Sequence, residues 1–171
     1  MRAFVTVGTT EFDELIAAID CEAFVHALRA LHCTHLVVQL GRGSTLPIVL
    51  PEQCAAQGID FSQFRFKDTL AEEMSAADVV VSHCGAGSAL EALGMGKVLV
   101  LIVNPSLQGN HQSELANALT TAPHNYALAT SPQGLLQTLR DLNLRQAALE
   151  PYPCPDRDAF PALVDGMFDW R

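Results

Sequence analysis

Three short segments place glycine beside small polar residues directly after apolar runs. They are Gly8-Thr9-Thr10 after Ala3–Val7, Gly41-Arg42-Gly43 after His35–Leu40, and Gly85-Ala86-Gly87-Ser88 after Asp78–Ser82. Glycine lets a backbone approach a ligand closely, and the amides at a helix start attract anions. The third segment opens a helical run, so it suits a diphosphate; a plain strand-to-helix turn would use the same residues. Glu91 lies one turn further on. A carboxylate there can accept two hydrogen bonds from a ribose diol, or simply sit solvated near the start of a helix. Asn110-His111-Gln112 precedes a further helical run. Asn110 fits an N-cap, while His111 and Gln112 offer hydrogen-bonding groups to a sugar; an ordinary polar loop fits equally. His83 ends a strand-like run, and a histidine titrates near neutrality. A structural histidine, a ligand contact and a base all stay open for it.

Several chemistries are excluded. The glycine segment at 85–90 lacks the third glycine of a dinucleotide fingerprint, and Asn104 stands where an acidic ribose partner would end the next strand. There is no G-x-x-x-x-G-K-[ST] loop, no G-x-S-x-G elbow and no H-E-x-x-H helix. The cysteines at 21, 33, 54, 84 and 154 are odd in number and show no C-x-x-C spacing, which predicts a reduced, cytosolic chain. His32-Cys33-Thr34-His35 borders an apolar run and reads as structural rather than metal-binding.

The elements that must hold these residues alternate. Strands are expected at Ala3–Val7, His35–Leu40, Ile59–Phe66, Asp78–Ser82, Val98–Val103 and Tyr126–Ala129, with a short strand or an extended stretch at Ile48–Leu50 before Pro51. Helical spacing runs from Phe12 through Leu31 and recurs at Leu70–Ala77, Gly87–Met95, Asn110–Leu119 and Pro132–Leu142. Continuous apolar strands alternating with helices predict an α/β fold, a doubly wound Rossmann-like parallel sheet covered on both faces. Residues 1–150 form the expected domain. Prolines 151, 153, 155 and 161 then mark a linker, and Phe160, Leu163, Val164, Met167 and Phe168 space out an amphipathic helix within 151–171.

Composition narrows the partners. The chain has 171 residues, 49% of them hydrophobic and 17% charged, with a net charge of −9, so it folds rather than staying disordered. Its mean hydropathy is +0.20. Lys67 and Lys97 are its only lysines, so a nucleic-acid partner is not expected. The longest apolar run, Val98–Val103, falls far short of the ~20 residues of a spanning helix. The first residues read as a strand and not as a signal peptide.

Together the motifs resemble one family. FVTVGTTEFDELI at 4–16, VQLGRG at 38–43, ADVVVSHCGAGSALEALGMGK at 77–97 and NHQSELA at 110–116 are similar, in the same order, to the catalytic subunits of the two-part UDP-N-acetylglucosamine transferase of N-glycan precursor assembly. These belong with glycosyltransferase family 28. The resemblance covers about residues 2 to 139 and implies the donor-binding half of a GT-B glycosyltransferase. It implies an inverting transfer of GlcNAc from UDP-GlcNAc to dolichyl-diphosphate-GlcNAc, forming a β1,4 link on the cytosolic face of the endoplasmic reticulum. It also implies a membrane-anchored partner that binds the acceptor, and no cofactor or catalytic metal.

Carried onto this chain, the resemblance puts Gly8, Thr9 and Thr10 in a phosphate-side loop and Gly85, Ala86, Gly87 and Ser88 against the diphosphate. It gives Glu91 the ribose, Phe66 and Lys67 the uracil edge, and Asn110, His111 and Gln112 the GlcNAc hydroxyls. Arg42 could offset diphosphate charge. The catalytic base is expected from the partner, with His83 the weaker local candidate. The chain departs from the family at Cys84 (commonly Ala), Val98 (usually Pro) and Gly109 (often Asp or Asn). A UDP-sugar-binding or scaffold module without turnover is the competing expectation.

Overall fold

The computed structural model describes residues 1–104, 111–121, 126–142 and 149–153. Six parallel strands form one sheet in the order β3-β2-β1-β4-β5-β6. They are β1 (Arg2–Thr6), β2 (His35–Gln39), β3 (Asp60–Phe64), β4 (Val79–His83), β5 (Val98–Ile102) and β6 (Leu128–Thr130). The helices are α1 (Asp13–Ile19), α2 (Glu22–Ala30), α3 (Leu50–Ala56), α4 (Ala71–Ala76), α5 (Ala86–Gly94), α6 (His111–Thr120) and α7 (Leu135–Arg140). This strand order is that of the doubly wound Rossmann fold, and it reverses direction at the β1/β4 boundary.

Period-two alternation in buried strands feeds two cores. Val5, Val38, Val81 and Val100 face one side with Phe12, Leu15, Phe24, Leu28, Leu50, Leu135 and Leu139, from the α1, α2, α3 and α7 regions. Phe4, Val80, Leu99 and Leu101 face the other with Met74 of α4, Ala89 and Leu93 of α5, and Ala116 and Leu119 of α6. Burying both faces makes β5 apolar along its length and β4 apolar up to Ser82 and His83 at its carboxyl end, whereas edge strand β3 is exposed or half-buried throughout.

Two expectations need correction. The helical spacing from Phe12 to Leu31 is two helices, because Asp20 leaves helical geometry with ψ of 58° and ends α1. Its carboxylate accepts N–H bonds from Ile48, Val49 and Leu50 at 2.8, 2.8 and 2.9 Å. Those amides lie at the start of α3, so Asp20 caps a helix distant in sequence. The short strand or extended stretch expected at Ile48–Leu50 is that helix start. Pro51 falls in its first turn, where a missing N–H costs nothing. α3 buries only Leu50 and Cys54, too sparse a pattern to announce a helix.

The other strands and helices fall within three residues of their expected bounds. Residue 152 still packs on the domain, with the Tyr152 and Tyr126 rings edge to face at 5.0 Å. The helix expected around 160–168 lies outside the described residues.

Candidate donor-binding site

Polar side chains buried in a sheet call for a reason, since each costs free energy unless hydrogen-bonded. Among the described residues they are Thr6, Gln39, Ser82, His83 and Asn104. All five sit at the carboxyl ends of strands. Thr6 is in register with Gln39 on one side and Ser82 on the other. His83 follows Ser82, and Asn104 lies just past β5. A polar row therefore crosses the sheet where ligands bind in open parallel folds.

Above this row lies a cleft of about 330 Å³. Its walls come from the turn after β1 (Gly8, Thr9), the end of β2 (Gln39), the β3–α4 segment (Phe66, Lys67, Asp68, Thr69, Leu70) and the β4–α5 turn (His83, Gly85, Gly87, Ser88). It thus straddles the β1/β4 switch point.

His83 sits at its floor, between two glycines. A Cβ on Gly8 would lie 2.5 Å from the ring's Cε1, and one on Gly85 would lie 2.4 Å from Nε2. Gly8 also has a φ of +64°, which side chains rarely adopt. The two turns close on the imidazole so tightly that only bare backbone fits. Burial pushes the His83 pKa below its usual value, with the nearby Thr6 main chain opposing weakly. The ring is accordingly neutral at pH 7, and its Nδ1 is buried without a hydrogen-bond partner.

The start of α5 faces the same space. Gly85 is its N-cap, no side chain caps it, and its first turn holds no acidic residue. Its leading amides are therefore available to an anion, with the helix dipole behind them. Ala86 is exposed at the first helical position. Glu91 does not line the cleft. It stands four and three residues after Gly87 and Ser88, one turn further along the same helix face, and is half-buried.

The β3–α4 segment forms the opposite wall. Phe66 is 51% exposed there. The Lys67 ammonium pairs with the Glu73 carboxylate of α4 and lies 4.8 Å from the centre of the Phe64 ring. Glu73 is nearly buried, and its second oxygen has no hydrogen-bond partner.

Among the described residues, Thr10, Arg42 and Gln112 do not line the cleft. Thr10 closes the first turn, its hydroxyl donating to the Val7 carbonyl at 2.8 Å while its own carbonyl accepts from the Arg42 amide at 2.9 Å. Gly41-Arg42-Gly43 is a packing turn. A Cβ on Gly41 would strike the Thr10 carbonyl at 2.3 Å, and one on Gly43 the Asp13 carboxylate at 2.1 Å. The Arg42 side chain is exposed and outside the cleft lining. Gln112 turns its carboxamide oxygen to the Asn104 amide at 2.9 Å, and its main-chain carbonyl accepts from the Cys84 thiol at 3.0 Å. Asn110 lies outside the described residues, and His111 opens α6.

Sequence reasoning missed Gln39 and Arg65. Arg65 donates from Nη1 to the Gly41 and Gly43 carbonyls at 3.1 and 2.7 Å, bracing the β3–α4 wall on the neighbouring turn. A signal for Gln39 existed. β1 and β2 each end in a polar residue, Thr6 and Gln39, and β4 in two, Ser82 and His83, after runs that are apolar just before them.

A Rossmann-type sheet with an uncapped helix start at its switch point defines a doubly wound α/β domain. The comparisons make this specific. Residues 2–158 match the glycosyltransferase family 28 C-terminal domain, and the chain belongs to that family. The mouse UDP-N-acetylglucosamine transferase subunit ALG13 is 47% identical over 123 residues, covering 72% of this chain and 10% of that protein. The subunit of the same name from Yarrowia lipolytica is 32% identical over 161 residues, covering 94% of this chain and 80% of that protein. This chain thus spans about a tenth of the mammalian relatives, the 10% found for mouse and human alike, and most of the fungal one. An NMR solution structure of ALG13 matches with a TM-score of 0.65 at 23% identity, covering 95% of this chain and 94% of the other, a likeness of fold.

Proposed function

We propose that this chain is the donor-binding catalytic subunit of an inverting N-acetylglucosaminyltransferase. UDP-GlcNAc is the donor, and GlcNAc passes to dolichyl-diphosphate-GlcNAc with a β1,4 link. A membrane-anchored subunit supplies the acceptor site and brings this chain to the cytosolic face of the endoplasmic reticulum. The observation that carries the reading is the enclosure of His83 between Gly8 and Gly85, beside an uncapped α5 start, in a family 28 domain whose relatives are named as UDP-N-acetylglucosamine transferase subunits.

The chemistry follows from these parts. Transfer leaves UDP as a diphosphate carrying more negative charge than the donor. The α5 amides and helix dipole stabilise that charge as it develops, without reorganising. The Gly8 turn and the neutral His83 close the other side with hydrogen-bonding groups rather than a second cation. Phe66 and Lys67 border the uracil, and Glu91 is placed one turn along α5 to take the ribose diol. Inversion also needs a base on the acceptor hydroxyl. Among the described residues no carboxylate pairs with His83 to raise its basicity, and burial lowers it. This supports a base supplied by the partner subunit.

A binding module without turnover is the second reading, favoured by the lack of a carboxylate beside His83 among the described residues. The two readings separate in a transfer assay from labelled UDP-GlcNAc to a GlcNAc-diphosphate lipid, run with and without the membrane subunit. Transfer only in the presence of both supports the enzyme reading. UDP binding with no transfer in either case supports the module.

A further inference from the structure

The buried polar row includes Gln39, which lies within the VQLGRG segment but is given no role by it. We propose that Gln39 is a positioning residue of the cleft, its carboxamide fixing the spacing between the Gly8 turn and the Arg65–Lys67 wall; this rests on the reading of the cleft as a UDP-sugar site. Gln39 is 2% exposed at the end of β2, yet it lines the cleft. Its Oε1 accepts the hydroxyl proton of Thr6. That commitment leaves the Thr6 oxygen free to accept, and it takes the Gly8 amide at 3.0 Å. With Oε1 engaged on one side, Nε2 is turned to the other wall and donates to the Arg65 carbonyl at 3.4 Å.

The chain of bonds runs in one direction, from the Gly8 N–H through Thr6 and Gln39 to Arg65. It joins the turn that closes on His83 to the segment carrying Phe66 and Lys67. An apolar residue of equal length would fill the space but join nothing. A carboxylate would hold Thr6 but repel the Arg65 carbonyl. Only a side chain with an acceptor and a donor at that reach completes the link.

The test uses the intact chain, with UDP titrated by calorimetry and unfolding followed by heating. Gln39→Met keeps length and removes both polar groups. Gln39→Glu keeps the acceptor and recovers a donor only when its carboxyl is protonated, which burial moves toward neutral pH. Wild type is measured at each pH, because His83 and UDP itself also titrate.

Relative to wild type, Gln39→Met should weaken UDP binding about tenfold at every pH, the scale of one or two lost hydrogen bonds. Gln39→Glu should match that loss at pH 8.5 and approach wild type at pH 5.5. Variants within about twofold of wild type would overturn the inference. So would losses that follow the melting temperature alone, with no recovery at low pH. Failure of wild type to bind UDP would overturn the donor reading and this inference with it, whereas normal wild-type binding with unaffected variants would overturn the inference alone.

Discussion

Gly85 approaches His83 so closely that an added Cβ would lie 2.4 Å from its Nε2, while the same addition at Gly87 meets nothing within 4 Å. Both glycines line the cleft, so they separate two roles of bare backbone. Gly85→Ala must displace the imidazole and should destabilise the fold by about 1–3 kcal/mol, as overpacking does. Gly87→Ala should leave stability equal or raise it by up to about 1 kcal/mol, since alanine favours a helix. Both should weaken UDP binding, the second because the new methyl stands where a diphosphate must approach. Thermal unfolding and UDP titration of the two variants check the contrast. A Gly87→Ala protein that binds UDP normally would contradict the placement of the diphosphate.

Burial of His83 makes stability depend on pH with a definite sign. Its folded pKa lies below the ordinary 6.5, so the unfolded chain takes up the proton first. The stability this residue contributes is complete above about pH 6.5 and declines as pH falls below it. His83→Asn should flatten that part of the profile. Denaturant midpoints between pH 8 and 5 supply the measurement. A wild-type midpoint indifferent to pH there would contradict the buried, neutral assignment.

Asp20 serves the fold and not the cleft. Asp20→Ala strips the partner from three amides at the start of α3 and should cost about 1–2 kcal/mol, in the range of a lost cap. Asp20→Asn keeps an acceptor oxygen and should cost less. UDP affinity should be unchanged in both, as read by the same titration.

Glu91 should matter to ribose and to little else. Glu91→Ala is expected to weaken UDP binding by about 1.5–3 kcal/mol, the value of hydrogen bonds to a charged group. The loss should be smaller with 2′-deoxy-UDP, which lacks one hydroxyl. Equal losses for the two ligands would leave Glu91 without a ribose contact.

Much of this was legible in the sequence, and the gaps have physical causes. β5, and β4 ahead of Ser82, declare themselves because burial on both faces leaves them apolar. The turns at Gly8 and Gly85 are visible because backbone packed against an imidazole must be glycine. The helix at Leu50–Ala56 was not visible, since two buried residues set no clear period and its cap comes from Asp20, thirty residues earlier. Arg42 drew attention by its charge, yet the glycines around it serve contacts to Thr10 and Asp13. Gln39 escaped notice because its meaning lies in Thr6 and Arg65, which only strand pairing and the turn after β3 bring beside it.

This chain is proposed to supply the donor half of a split transferase. Transfer of labelled GlcNAc from UDP-GlcNAc to a GlcNAc-diphosphate lipid decides this, measured with the chain alone and with the proposed membrane subunit. The account predicts product only when both are present, and its loss with Gly85→Ala in the reconstituted pair. Transfer by the chain alone would mean that it carries its own acceptor site and base, and would contradict the account.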